Sequence, residues 1–171
     1  MTNPTREAVI VDVDGTLCNV STALRHLPDY RAFHAASRQC PPTAEVIDWC
    51  GDHHDAGRVL AVVTGRKYEH ESLTRDWLGE HLPYPFVGPF MRGDDDARPD
   101  TEVKADIAAM LRDDHGLHVV GAIDDRPSVI RLWARELGIP TTVVYRPDWL
   151  ANGETYDDLA DLPTLLDRAA L

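Results

Sequence analysis

The chain has 171 residues, close to the roughly 150 of one domain, and carries 17 basic against 29 acidic side chains for a net charge of −12. A chain of this size buries about 70% of its unfolded surface, so it needs neither disulfides nor a structural metal to fold. The acidic balance argues against a protein that coats long DNA or RNA, where affinity comes from neutralising many phosphates, and against a polybasic membrane-surface binder.

Taken in order, Ala8–Val11 is the first of four apolar runs rich in Val and Ile without polar alternation, the pattern of strands buried on both faces. Residues 18–41 follow and carry Tyr30, Phe33 and His34, where a short helix is expected. Pro41-Pro42-Thr43 starts a helix whose Ala44, Val46, Ile47 and Cys50 share a face, and Gly57 stops it. Val59–Val63 is the second strand, and Leu73, Trp77 and Leu78 mark another helix. Phe86–Met91 is a weaker strand, interrupted by Gly88 and Pro89. Asp100 is a candidate N-cap for a helix bearing Val103, Ile107, Met110 and Leu111. After the strand Val119–Ile123, Pro127 fits the first turn of a helix with Val129, Ile130, Trp133 and Leu137, closed by Gly138. Thr142–Tyr145 is the last strand, and Tyr156–Leu171 is expected to be a terminal helix. Strands alternating with helices imply parallel pairing and right-handed crossovers. The expectation is a single domain over residues 1–171, an α/β three-layer sandwich on a mainly parallel sheet.

Cys18, Cys40 and Cys50 are too few and too irregular for a disulfide framework, and no CxxC pair exists. The opening MTNPTREAVIVDVDG lacks the pattern of a signal peptide, and the longest apolar run, Val59–Val63, is far short of the ~20 residues of a membrane span. A soluble, cytoplasmic protein is expected. The adjacent His53 and His54 cannot both face one ion from a helix, and there is neither an EF-hand loop nor GxGxxG.

In an open parallel sheet, ligands collect beyond the carboxyl ends of the strands. Just past the first run stands Asp12-Val13-Asp14-Gly15-Thr16, past the second Thr64-Gly65-Arg66, and past the third Asp124-Asp125-Arg126. Three strands thus bring carboxylate, hydroxyl and guanidinium groups to one rim. Side chains two apart on an extended chain point the same way, so Asp12 and Asp14 face a common site. Carboxylates gathered there repel one another unless a cation lies among them, and such oxygen ligands suit Mg²⁺. These groups fit phosphoryl transfer, in which a carboxylate nucleophile must approach an anionic phosphate. A metal and a second cation have to cancel that repulsion. Lys104, one of two lysines in the chain beside Lys67, is the candidate second cation. Thr64 and the Gly65 amide are candidate donors to phosphate oxygens, and Asp14 a candidate acid and base.

These motifs resemble those of the haloacid dehalogenase superfamily of phosphatases: DVDGT (Asp12–Thr16), VVTGR, Lys104 and AIDDR, in that order. The resemblance implies a Rossmann-like sheet, Asp12 as nucleophile and Asp14 as acid/base. It also implies Mg²⁺ held by Asp12, the Asp14 backbone carbonyl and Asp124, with Asp125 in support. The stretch from Arg92 to Lys104 is similar to that of the phosphatase half of bacteriophage polynucleotide kinase-phosphatase, as is DDRPSVIRLWARELG (Asp124–Gly138). By that likeness Thr16, Gly65, Arg66, Arg92, Asp96, Arg98, Asp100 and Arg126 are candidate substrate-site residues, with a phosphorylated nucleotide or nucleic-acid 3′ end as the partner. Asp94 and Asp95 read as a solvated loop. Neither lysine follows a glycine, so a P-loop kinase is excluded and the chain is expected to be a phosphatase domain standing alone.

Residues 18–41 are too few for a separate cap domain, against a usual domain minimum of about 50 residues, so a minimal cap and an open site are expected. Tyr30 or Phe33 could stack on a base or pack in the core. The expected function is a Mg²⁺-dependent phosphomonoesterase with an aspartyl-phosphate intermediate, acting on 3′-phosphorylated ends. A phosphatase of small metabolites or 5′-nucleotides is the alternative. A phospho-receiver domain fits poorly, because its acidic pair follows the first strand and its acceptor the third.

Overall fold

The computed structural model describes residues 5–150 and 153–166. β1 (Arg6–Val11) runs through the middle of a six-stranded sheet with β2 (Val59–Lys67), β3 (Phe86–Arg92), β4 (Leu117–Asp124), β5 (Thr141–Val144) and β6 (Thr164–Leu165). The order is β3-β2-β1-β4-β5-β6, and every pairing is parallel. The weak run with Gly88 and Pro89 is the edge strand β3, a position that tolerates a residue without a ladder donor.

Strand alternation divides the core. Val9, Val11, Leu60 and Val62 face one side and pack with Val46, Cys50, Trp77 and Leu78. Those partners come from α2 (Ala44–Asp55) and α3 (Glu71–His81), and Phe33 of α1 (Tyr30–Ser37) joins them. Ala8, Ile10, Ala61 and Val63 face the other side, against Val103, Ile107 and Leu111 of α4 (Asp100–Asp113) and Val129 of α5 (Pro127–Arg131). Each fully buried Val or Leu contributes about 1.5–3 kcal/mol, so two such layers clamp the sheet from both faces.

Three expectations are corrected. The tail is not helical where described: a 3-10 turn, Asp157–Leu159, leads to β6, and residues 167–171 of the expected helix lie outside the described residues. Pro163 has no N–H to give a helix; its carbonyl instead accepts from Val143 N at 2.7 Å and helps extend the sheet. Asp100 does not cap α4. Pro99 takes that position and Asp100 is the first helical residue, its carboxylate drawn to Arg92. The helix after Pro127 is α only to Arg131 and widens into a π-turn over Leu132–Glu136.

Residues 18–41 fold as two 3-10 turns, Val20–Thr22 and Leu24–His26, followed by α1. No helix among the described residues is long and apolar enough to cross a membrane.

Candidate active site

Register sets the site. Val11 lies level with Val62 on one side and Ile123 on the other. The next residue, Asp12, therefore leaves the sheet beside Asp124, its amide donating to the Ile123 carbonyl at 3.2 Å. From the far face, the second turn of α4 sends Lys104 to the same point. Its Nζ donates to Asp12 Oδ1 and Asp124 Oδ2, each at 2.8 Å, with Asp100 Oδ2 3.7 Å away. Lys104 is only 2% exposed, and burial alone would strip its proton; the three carboxylates outweigh burial and hold its pKa well above the ordinary value.

Asp12 behaves the other way. Burial first and the Asp124 charge second push its carboxyl up to about 7, although Lys104 pulls against them. Asp125 is pushed well up by burial, then by Asp12 and Asp124. Its Oδ1 accepts from Thr16 Oγ1 at 3.2 Å, while its buried Oδ2 has no hydrogen-bond partner among the described residues. Ligand oxygens of Asp12, Asp124 and Asp125 all lie within 4.8 Å of one another. An all-oxygen set with a crowded, partnerless carboxylate fits a hard divalent cation such as Mg²⁺.

Asp14 is built differently. Arg66, buried in β2, holds it through Nε to Oδ2 at 2.9 Å and a terminal nitrogen to Oδ1 at 2.5 Å. Burial raises the Asp14 carboxyl, but the Arg66 charge and hydrogen bonds prevail and leave its pKa below the ordinary value. Arg66 is fixed in turn by Thr74 Oγ1 and Ser37 Oγ. His34 Nδ1 stands 3.9 Å from Asp14 Oδ2 without a hydrogen bond, and burial pushes this imidazole down to about 4.

A cleft of about 540 Å³ opens over these groups. Asp12, Asp14, Thr64, Gly65, Arg66, Arg92, Asp96, Arg98, Asp100, Lys104, Asp124, Asp125 and Arg126 all line it. Thr16 does not; it is fully buried and reaches the site only through Asp125. Several of the lining groups are committed to one another. Arg92 stitches the loop before α4, donating to the carbonyls of Gly65, Asp96 and Arg98 and to Asp100 Oδ1. Arg98 pairs with Asp96 and Asp106, and its hydrogen bonds hold the Asp96 carboxyl down to about 2. Thr64 Oγ1 accepts from the Arg66 amide at 3.3 Å, which leaves its own hydrogen to give.

Sequence reasoning passed over Arg146, which donates to the Gly15 carbonyl at 3.1 Å and to Thr43 Oγ1 at 3.0 Å, bracing the turn after Asp14. It stands just past β5, so extending the rim argument to the fourth apolar run would have found it. Tyr156, whose hydroxyl donates to the Asp125 carbonyl, and Trp149, on the cleft wall, gave no comparable signal.

The family profile of the polynucleotide kinase PNKP phosphatase domain matches residues 6–149. A viral protein named as a bifunctional polynucleotide kinase/RNA ligase, from Autographa californica nuclear polyhedrosis virus, is 28% identical over 150 residues. That match covers 84% of this chain and 20% of the viral one, so the chain spans about a fifth of that relative. A solved chain of the Pnkp1/Rnl/Hen1 complex is 26% identical with a TM-score of 0.67, over 80% of this chain and 44% of the other. CbbY from Rhodobacter sphaeroides shares the fold at 18% identity and a TM-score of 0.61, over 94% and 93% of the two chains.

Proposed function

The chain belongs to the polynucleotide kinase PNKP phosphatase domain family, and on that premise we propose that it is a Mg²⁺-dependent phosphomonoesterase that removes 3′-phosphates from nucleic-acid ends. The observation that carries this reading is the buried Lys104 ammonium shared by Asp12 and Asp124 at 2.8 Å, beside a carboxylate oxygen of Asp125 left without a partner. Such a centre suits an anionic nucleophile meeting an anionic phosphate.

Asp12 attacks phosphorus, the bond from phosphorus to the leaving oxygen breaks, and that oxygen takes a proton through Asp14, which has to be loaded with it against the pull of Arg66 on its carboxylate. Asp14, now a carboxylate, takes a proton from the water that attacks the aspartyl-phosphate, and phosphate and free Asp12 result. Lys104 favours the ionised form of Asp12 against the burial and the Asp124 charge that raise its pKa, and it opposes the phosphate charge. Thr64 Oγ1 and the Gly65 amide hold phosphate oxygens. Asp12, Asp124, Asp125 and the Asp14 carbonyl would hold Mg²⁺, which neutralises charge between nucleophile and phosphate. Three free, buried cysteines suit a reducing cytoplasm. A relative named for polynucleotide kinase and RNA ligase supports a nucleic-acid end as the partner. The acidic net charge favours contact with a few terminal nucleotides over a long duplex.

The test is phosphate release from oligonucleotides phosphorylated at the 3′ or the 5′ end, alongside 5′-nucleotides and sugar phosphates, with Mg²⁺ or EDTA. Release confined to 3′-phosphates in Mg²⁺, and lost in Asp12→Asn, is expected. Turnover of sugar phosphates or 5′-nucleotides with 3′ ends untouched would overturn the substrate assignment.

A further inference from the structure

α1 carries three rings on one side, Tyr30, Phe33 and His34, spaced so that neighbours three and four apart meet. Asp29 fixes the start of this helix, its Oδ1 accepting from the Ala32 amide at 3.0 Å. Phe33 and His34 turn inward and are buried. Tyr30 meets Phe33 edge-on at 6.4 Å and His34 at 6.3 Å, yet stays 62% exposed, more than any other large apolar side chain among the described residues. Folding gains little from an aromatic ring left in water. Tyr30 lines the same cleft as the carboxylates.

Trp149 lines the cleft as well, but it is occupied: Phe33 stacks on it at 5.3 Å, and the Arg126 guanidinium lies 6.0 Å from its ring centre. Among the described residues, Tyr30 has only edge-on and tilted ring neighbours. The path to it starts at Asp14. His34 Nδ1 is 3.9 Å from the Asp14 carboxylate, and the Tyr30 ring is the next ring outward along α1. With Asp14 protonating the leaving oxygen, the group attached to that oxygen lies in the part of the cleft that His34, His70 and Tyr30 line.

We propose that Tyr30 is the stacking platform for the base of the 3′-terminal nucleoside, making the leaving group's base, and not only its phosphate, a determinant of specificity. A nucleoside sets a flat π-face one sugar away from its 3′ oxygen, and a stacking contact accepts any base because every base has such a face. The proposal rests on the phosphatase reading above and adds to it where the leaving group lies.

The experiment compares kcat/KM for one oligonucleotide ending in a base-bearing 3′-phosphate with the same oligonucleotide ending in an abasic 3′-phosphate. The wild type is expected to prefer the base-bearing end by about 5- to 150-fold, the range of one base–aromatic stack. Tyr30→Ala is expected to bring the two ends level, chiefly through KM, and Tyr30→Phe to restore the preference. A wild type blind to the base, or a Tyr30→Ala variant that keeps the preference or weakens both ends by the same factor, overturns the inference. No release from either 3′ end would instead overturn the phosphatase reading beneath it.

Discussion

Arg66 grips both oxygens of Asp14, although 52 residues separate them in sequence, and the two sit in a pocket completed by Ser37 and Thr74. Removing one partner of a buried pair leaves the other charge stranded, at a cost of about 3–5 kcal/mol. Arg66→Ala should therefore melt well below the wild type. Arg66→Lys should recover only part of the loss, since an ammonium cannot reproduce the two-pronged contact. Thermal melts of the three proteins check this; an unchanged melt of Arg66→Ala would contradict the burial argument.

The proposed proton transfer makes a separate demand on Asp14. A sugar alkoxide leaves poorly without a proton, whereas p-nitrophenolate leaves readily. Asp14→Asn should lower kcat on a nucleotide 3′-phosphate by about 10²–10⁴, the usual worth of a general acid, and lower it far less on p-nitrophenyl phosphate. Equal losses on both esters would place the effect of Asp14 outside leaving-group protonation, in the shared hydrolysis of the aspartyl-phosphate or in its contact with Arg66.

Stability should respond to pH and Mg²⁺ together. Asp12 has its carboxyl raised from 3.8 to about 7 by burial and by Asp124. Between those values the folded chain holds a proton that the unfolded chain has released, so stability falls as pH climbs through that interval. The loss is on the order of a few kcal/mol for a shift of this size. Asp14, held below 3.8, acts in the opposite sense and only at more acidic pH. In EDTA the melting temperature should drop from pH 5 to pH 8, and added Mg²⁺ should raise it more at pH 8. Asp12→Asn should flatten both responses. A Mg²⁺ effect of equal size at both pH values would refute metal binding at these carboxylates.

Lys104→Met keeps the side-chain length and deletes the charge that Asp12, Asp124 and Asp100 share. Phosphatase activity should vanish. In EDTA the variant should lose about 3–5 kcal/mol, and Mg²⁺ should return more stability to it than to the wild type, because the metal becomes the main local counter-charge. Melting curves with and without Mg²⁺ provide the readout, and a Met variant as stable as the wild type in EDTA would show that the carboxylates need no cation.

Much of this centre was legible in the sequence because parallel strands end at a common rim. Asp12, Thr64 and Asp124 each stand one residue past an apolar run, so convergence followed once the runs were taken as parallel neighbours. The pairing of Asp14 with Arg66 was not legible, because it depends on which rotamers the crowded rim admits. Asp100 misled for a related reason. Its local preference for capping lost to Arg92 and Lys104, charges supplied by tertiary structure. The tail misled because helical spacing in a short segment says nothing of an open sheet edge; β5 was available, and Pro163 favoured pairing there.

Gly15 and Gly57 separate backbone strain from chemistry. Their φ angles are nearly alike, +81° and +78°, so alanine at either should cost about 1–2 kcal/mol for a left-handed residue. Their surroundings differ. A Cβ at Gly57 meets nothing within 4 Å, whereas one at Gly15 would run into the Asp125 carboxylate. Asp125 cannot withdraw easily, since Thr16 holds its Oδ1 and Tyr156 its carbonyl. Gly57→Ala should therefore be slightly destabilised yet as active as the wild type and as responsive to Mg²⁺. Gly15→Ala should lose most of its activity and most of the Mg²⁺-induced rise in melting temperature. Equal behaviour of the two variants would mean that Asp125 can move aside at no cost, and that the close approach of Gly15 to it has no part in shaping the proposed metal site.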